Sequence, residues 1–168
     1  VIVPIYNSEK NLQKTLEKIC AQSIWNTGEI YLELILVNDA SADHSIEIMK
    51  KVQAKFPEQI KCIDLPENHG PGGARNYGMQ IASGDYIGFV DSDDLIEKNM
   101  YEKLYEAATK DGQFYDVADC AIRNEANKSE ILYTPQAATG LLQDRKRSLL
   151  ISEVGFPVTK IYARDLLL

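Results

Sequence analysis

Three carboxylates crowd four consecutive positions in Asp91-Ser92-Asp93-Asp94. Like charges this close repel unless a cation or hydrogen-bond donors offset them. A divalent ion with oxygen ligands does so, and Mg²⁺ or Mn²⁺ typically takes one or two protein carboxylates plus substrate phosphates. Asp91 and Asp93 are therefore candidate metal ligands. The competing reading is an acidic turn that caps a helix starting near Leu95, because acidic residues are favoured at helix starts. Asp94 suits a cap better than a ligand. The apolar run Tyr86 to Val90 just before the turn favours the metal, since a buried strand would hold the turn rigidly.

Other polar groups follow apolar runs in the same way. Asp39, in Val37-Asn38-Asp39-Ala40-Ser41, could accept hydrogen bonds from a base or ribose, or cap the next helix. Tyr6 and Asn7 end the first apolar run, with Glu9 close behind. Tyr6 could stack on a base or sit at the edge of the core. Gly70-Pro71-Gly72-Gly73-Ala74-Arg75-Asn76 is a glycine-rich turn entering a helix. It could present N–H groups to phosphate or be a plain tight turn, and Arg75 could reach a diphosphate or pair with the acidic turn. It is neither a Walker motif nor the dinucleotide fingerprint. His44 and His69 show no zinc spacing.

The elements that must position these residues alternate along the chain. Val1–Tyr6, Leu32–Val37, Ile60–Leu65, Tyr86–Val90 and Val117–Ile122 read as strands. Between them lie helical stripes: Leu12, Leu16, Ile19 and Cys20 behind a Ser8 cap; Ile48, Met49, Val52 and Phe56; Ala74, Tyr77, Gly78, Ile81 and Ala82; Met100, Leu104, Ala107 and Ala108. A short strand at Ile131–Tyr133, a helix at Leu141–Ile151, a strand at Phe156–Tyr162 and a helix opening at Ala163 are expected beyond. This alternation predicts an α/β fold: a Rossmann-like, mostly parallel central sheet with helices on both faces. Ligands bind such sheets beyond the carboxyl ends of the strands, where Tyr6-Asn7, Asn38-Asp39 and Asp91-Ser92-Asp93 converge.

Composition narrows the function classes. The chain has 168 residues, which suits one domain with a real core. A net charge of −7 argues against a nucleic-acid partner. No apolar stretch approaches the ~20 residues that cross a bilayer. Cys20, Cys62 and Cys120 are sparse and without metal spacing, so core thiols in a reducing cytoplasm are expected. The sequence opens on Val1 without a signal peptide or initiator Met, and a fragment is expected.

In order, Pro4-Ile5-Tyr6-Asn7, Val37-Asn38-Asp39-Ala40-Ser41, Asn68-His69-Gly70 with Ala74-Arg75-Asn76, Gly84-Asp85-Tyr86-Ile87 and Asp91-Ser92-Asp93-Asp94 resemble family 2 glycosyltransferases of the GT-A fold. Lys160-Ile161-Tyr162 resembles that family's Lys-(Ile/Leu)-Tyr segment. The resemblance implies a nucleotide-binding half, about 1–95, and an acceptor half, about 96–168. It implies a nucleotide-sugar site of Pro4, Tyr6, Asn7, Glu9, Asp39, Arg75, Asp91 and Ser92, with Asp91 and Asp93 matching the Asp-X-Asp motif around Mn²⁺ or Mg²⁺. It implies inverting transfer from a nucleotide-sugar, UDP-linked by expectation, to a saccharide or lipid-linked saccharide in polysaccharide or glycoconjugate synthesis. A cytoplasmic place at the inner face of the membrane is expected. Two departures stand out. Ala40 replaces a common Gly, so the turn there is expected to differ in shape. No carboxylate pair follows Tyr162, so no catalytic base is assigned and one is expected beyond Leu168. A nucleotidyltransferase, a non-catalytic nucleotide-sugar-binding module and a phosphoacceptor domain are the alternatives. Asn7-Ser8-Glu9 speaks against the first, which would place a glycine-rich basic loop there. The acidic cluster follows the fourth strand, not the first, which speaks against the last.

Overall fold

The computed structural model describes residues 1–26, 28, 30–124, 126, 127, 130–135 and 157–168. Strands β1 (Ile2–Ile5), β2 (Leu34–Asn38) and β3 (Ile60–Asp64) form a parallel sheet in the order β1-β2-β3. Ile2 lies opposite Ile35 and Leu34 opposite Ile60. The free edge of β1 meets the chain again just after β4 (Tyr86–Gly88). There Ile2 pairs with Phe89 in a parallel bridge, and the Val90 N–H donates to the Ile2 carbonyl at 3.1 Å. Pro4, which has no N–H to give, is tolerated in this strand because the ladder on that side is reduced to one bridge.

These strands form because their side chains are apolar and largely β-branched, and both faces are covered. Ile2, Val3, Ile5, Leu34, Ile35, Leu36 and Val37 are all 0 % exposed. Each such burial is worth ~1.5–3 kcal/mol, more than a typical surface ion pair, so the sheet core dominates the energetics. Alternate residues serve opposite faces. Val3, Ile5, Leu34 and Leu36 pack with helices α1 (Leu12–Cys20), α2 (Ser45–Gln53) and α4 (Met100–Ala108). Ile2, Ile35 and Val37 pack with Phe89, Ile87 and Ala74 of α3 (Gly70–Ile81). The α/β layering expected from the sequence is present.

Beyond β4 the pairing turns antiparallel. β8 (Lys160–Ala163) lies between β4 and β5 (Val117–Asp119) and runs against both. A helix, α5 (Arg164–Leu167), follows it. The strand expected over Val117–Ile122 is interrupted: β6 (Ile122–Arg123) leaves the sheet to pair with β7 (Ile131–Tyr133). The strand expected over Phe156–Tyr162 begins later, after a 3-10 turn at Pro157–Thr159. The helix expected over Leu141–Ile151 lies outside the described residues. Cys20, Cys62 and Cys120 are free and half-buried rather than core residues, and burial pushes each thiol up to about 11.

Two helix starts differ from expectation for local reasons. α3 begins at Gly70, so the glycine-rich stretch is its first turn rather than a preceding loop. Pro71 stands where a helix needs no N–H, and its fixed φ is already helical. α4 begins at Met100, so no helix follows Asp94 directly and the acidic turn is not a helix cap.

α3 crosses β1 closely. A Cβ on Gly78 would lie 2.5 Å from Cγ2 of the fully buried Ile2. Alanine gains up to ~1 kcal/mol in a helix, whereas overpacking costs ~1–3 kcal/mol. Cγ2 is fixed to a strand at the β-carbon and cannot swing away, so the clash prevails. Gly78→Ala is expected to lower unfolding stability by about 1 kcal/mol or more in a urea titration.

At the opposite end of the sheet from the polar loops, the nearly buried Glu33 binds Lys61 of β3 at 2.5 Å and both the N–H and Oγ of Ser83 at 2.9 and 3.0 Å. Burial alone would raise the Glu33 pKa; the bonds from Lys61 and Ser83 outweigh it and hold the carboxyl below its ordinary 4.5. A folded pKa below the unfolded one gives stability that is full above pH 4.5 and is lost as pH falls through the depressed value. Chemical denaturation from pH 6 to pH 3 should show a shallower acid loss for Glu33→Gln than for wild type.

Candidate functional site

The carboxyl ends of β1 and β2 emerge side by side, since Ile5 lies opposite Asn38 and the Asp39 N–H donates to the Ile5 carbonyl at 2.8 Å. The loops that follow are joined by paired hydrogen bonds. Asn7 donates its N–H to Ser41 Oγ at 3.0 Å and accepts the Ala42 N–H on Oδ1 at 2.8 Å. Ser8 N–H donates to Ser45 Oγ at 2.9 Å. Glu9 donates its N–H to Asp43 at 2.9 Å and accepts the His44 N–H at 3.1 Å. Slight burial would raise the Asp43 pKa, but the bonds from Ser45 and Glu9 outweigh it and hold the carboxyl below the ordinary range.

This lacing explains two backbone features. Asn7 and Ala40 have φ of +48 and +57, the left-handed region. Asn visits it readily; for Ala the cost is roughly 1–2 kcal/mol. Ala40 thus takes the conformation a glycine would, and the neighbouring hydrogen bonds hold it there.

Asp39 is buried, at 2 % exposure. Its Oδ1 accepts the His69 N–H at 2.8 Å, and its carbonyl accepts the Asn68 side chain at 3.2 Å. It therefore fastens the loop before α3 to the sheet rather than capping α2, whose N-cap is His44. Asn38 ties to Asp64 at the end of β3 at 2.7 Å. Tyr6 stands at the rim, 54 % exposed, while Pro4 is buried within β1.

On the other side of β1, Phe89 and Val90 lead into the acidic turn. The Asp94 N–H donates to the Asp91 carbonyl at 3.0 Å and closes it. Arg75 of α3 reaches Asp91 Oδ1 at 2.5 Å. Its guanidinium lies 6.0 Å from the Phe89 ring centroid, and its buried Nε has no hydrogen-bond partner among the described residues. Ser92 Oγ lies 2.6 Å from Ser8 Oγ, which joins the acidic turn to the loop after β1. Ser8 is thus recruited across the site instead of capping α1, which starts after Asn11. Asp93 is exposed, and no group among the described residues bonds its carboxylate. Desolvation first, and then the Asp91 and Asp93 charges, raise the Asp94 pKa above the usual range, although Asp94 as a whole residue is open to solvent.

Tyr6, Asn7, Glu9, Asp39, Asp91, Ser92 and Asp93 therefore share one sheet edge, with Arg75 bonded into it from α3. Thr15, Ser41, Asp43 and Asn68 also serve this edge. Ser41 and Asn68 lie within the quoted motifs without a role of their own, Asp43 lies outside them, and Thr15 left a trace only as a polar residue on the apolar stripe of α1. Among the described residues no cluster of three or more His, Cys, Asp or Glu is arranged to hold a metal ion. An uncompensated Asp93 beside Asp91 nevertheless fits a hard cation that completes its shell with phosphate oxygens. A separate cavity of about 350 Å³ opens at the amino ends of the strands, between Val1, Tyr31, Glu33, Ser83 and Tyr105. It is remote from this chemistry and has none of its ligands. No described helix is long and apolar enough to cross a membrane.

Comparison with known proteins agrees with this architecture. The chain superposes on the crystal structure of S. aureus TarS 1-349 with a TM-score of 0.77 and 29% identity, covering 99% of this chain and 47% of that one. Against TarS 1-349 in complex with UDP the TM-score is 0.74. The minor teichoic acid biosynthesis protein GgaA of Bacillus subtilis is 40% identical over 108 residues, 63% of this chain and 24% of GgaA. The glycosyltransferase GlyA of Streptococcus pneumoniae is 40% identical over 135 residues, 79% of this chain and 18% of GlyA. The chain thus spans less than half the length of each of these proteins. The model of glycosyl transferase family 2 matches residues 1–161. With sheet, edge and sequence in agreement over that length, the chain belongs to glycosyl transferase family 2 and has the GT-A fold.

Proposed function

We propose that this chain is the donor-binding part of an inverting glycosyltransferase that moves a sugar from a nucleoside-diphosphate carrier, UDP in the first instance, to a hydroxyl acceptor. The observation that carries the reading is the gathering of Asp39, Tyr6 and the Asp91–Asp93 turn at one sheet edge around β1, with the Asp93 carboxylate uncompensated among the described residues. The UDP complex of TarS supports the choice of nucleotide. The teichoic acid role in the name of GgaA supports an acceptor, saccharide or lipid-linked saccharide, in cell-surface polymer synthesis.

Each residue has a task on this reading. About residues 1–95 form the donor half and about residues 96–168 the acceptor half. Tyr6, exposed at the rim, stacks on the base. Asp39 accepts a hydrogen bond from base or ribose with the carboxylate that also fixes His69. Pro4, Asn7 and Glu9 shape the nucleoside wall through β1 and its loop. Arg75 neutralises Asp91 and so lowers the negative charge that a diphosphate meets at the turn. Asp93, with Asp91 beside it, holds a divalent cation, Mn²⁺ or Mg²⁺. Bound there, the cation acts as a Lewis acid on the leaving diphosphate. The acceptor oxygen forms its bond to the anomeric carbon as the bond to the diphosphate oxygen breaks, and the acceptor proton passes to a carboxylate base, a role worth typically 10²–10⁴-fold. No described residue is assigned as that base.

Thermal unfolding with UDP and a panel of UDP-sugars, in Mn²⁺ or in chelator, tests the proposal. A ligand at 100 times its Kd adds roughly 2.7 kcal/mol of stability. Wild type should gain stability with UDP only when Mn²⁺ is present, and Asp93→Ala should lose that gain while unfolding normally without ligand. Equal gains with and without Mn²⁺ in both proteins would overturn the assignment.

A further inference from the structure

We infer that Thr15 of α1, helped by Ser8, is a positioning residue that sets the direction of Asp93; the inference rests on the proposed role of Asp93 at the donor diphosphate.

The chain from Asp91 to Asn99 contains no helix or strand, yet it carries the carboxylates that must be held in register. α1 and its exit supply the missing support. Gln22 Nε2 donates to the Glu97 carbonyl at 2.8 Å, and the Ser23 N–H donates to the Lys98 carbonyl at 2.8 Å. Gln22 Oε1 accepts the Tyr101 N–H at 3.1 Å. At the acidic end, Thr15 Oγ1 donates to the Ser92 carbonyl at 3.0 Å.

Thr15 occupies a core position. It is 1 % exposed and shares the buried face of α1 with Leu12, Leu16 and Ile19. A hydroxyl placed there costs stability unless it is bonded. The usual helical partner is the carbonyl four residues back. Here that carbonyl, on Asn11, lies 3.5 Å away and already accepts the Thr15 N–H at 3.2 Å. The hydroxyl has one proton to give, so the shorter contact to Ser92 takes it.

The Ser92 carbonyl belongs to the planar peptide that joins Ser92 to Asp93. Fixing that oxygen fixes the plane from which the Asp93 chain departs. The contact between Ser8 Oγ and Ser92 Oγ at 2.6 Å holds the same residue from the loop after β1. Arg75 holds Asp91 from α3. The turn is thereby gripped on both sides, leaving Asp93 to the ligand.

Thr15→Val keeps the shape and removes the donor; Thr15→Ser keeps the donor. The first measurement is hydrogen exchange by mass spectrometry on ligand-free protein. Thr15→Val should speed exchange over residues 91–99 about tenfold, with residues 34–38 unchanged and Thr15→Ser near wild type. Ser8→Ala, at a half-buried position, should loosen the same residues less. The second measurement is calorimetry of UDP with MnCl₂. Thr15→Val should weaken Mn²⁺-dependent binding about 10–100-fold, as loss of a ligand-orienting contact does, and Thr15→Ser should restore it. In chelator, UDP should show no binding in wild type or in any variant. Unchanged exchange over 91–99 in Thr15→Val, or in Ser8→Ala should Thr15→Val not fold, overturns the inference, and so does unchanged Mn²⁺-dependent affinity. If wild type binds no UDP with Mn²⁺, the proposed function fails, while the exchange data still decide the role of Thr15.

Discussion

Everything at the candidate site depends on the enclosure of β1. Its apolar side chains are buried on both faces; one of its edges pairs with β2 and the other meets the single bridge at Phe89, just past β4. The chain runs outward from β1 to β2 and β3, then returns to the other side of β1 through Phe89 and Val90. Strand order therefore reverses at β1, and such reversal points open a crevice at the carboxyl edge of a parallel sheet. The loops after β1, β2 and β4 must meet there because the core leaves them no other place.

The core brings the loops together but does not give them shape. That is done by polar contacts across sequence separations of about thirty to eighty residues, such as Asn7 with Ser41 and Ser8 with Ser92. Several involve backbone N–H groups that turns leave unpaired, so each removes a penalty as well as adding a bond. They also stabilise the left-handed Ala40, a conformation that alanine disfavours in isolation. Strain at one residue is tolerated because neighbours on two loops determine the turn independently.

This division of labour explains what the sequence made legible. The buried strands were visible because continuous apolar runs such as Leu34–Val37 have few other uses, and the stripe of α1 because Leu12, Leu16 and Ile19 repeat at helical spacing. The convergence of Asp39 and Asp91 followed from topology alone. Pairing direction was not legible: β8 runs antiparallel between β4 and β5, and its local pattern is that of any short buried strand. The start of α3 was hidden because glycine and proline read as breakers, although both are acceptable in a first helical turn. Ser8 was misplaced because a serine before an apolar stripe suggests a cap, whereas its actual partner, Ser92, lies 84 positions away. Distant side-chain partners leave no local periodicity.

The charge balance of the acidic turn assigns unequal roles to its carboxylates. The Arg75 guanidinium is largely enclosed, at 19% side-chain exposure, and lies beside the Phe89 ring. A cation so enclosed is expensive to strip of its partner, because a buried charge without compensation costs several kcal/mol. Asp91 is therefore committed to Arg75 before any ligand arrives. Desolvation, and then the Asp91 and Asp93 charges, raise the Asp94 pKa above the usual carboxylate range. Asp93 has no partner among the described residues, so a cation that reaches it breaks no described contact. On the proposed reading, Asp91 acts mainly as the fixed post of the turn and Asp93 as its principal ligand. One arginine compensates only one of the neighbouring negative charges, and on the proposed reading this shortfall would favour a phosphate that arrives with its own divalent ion.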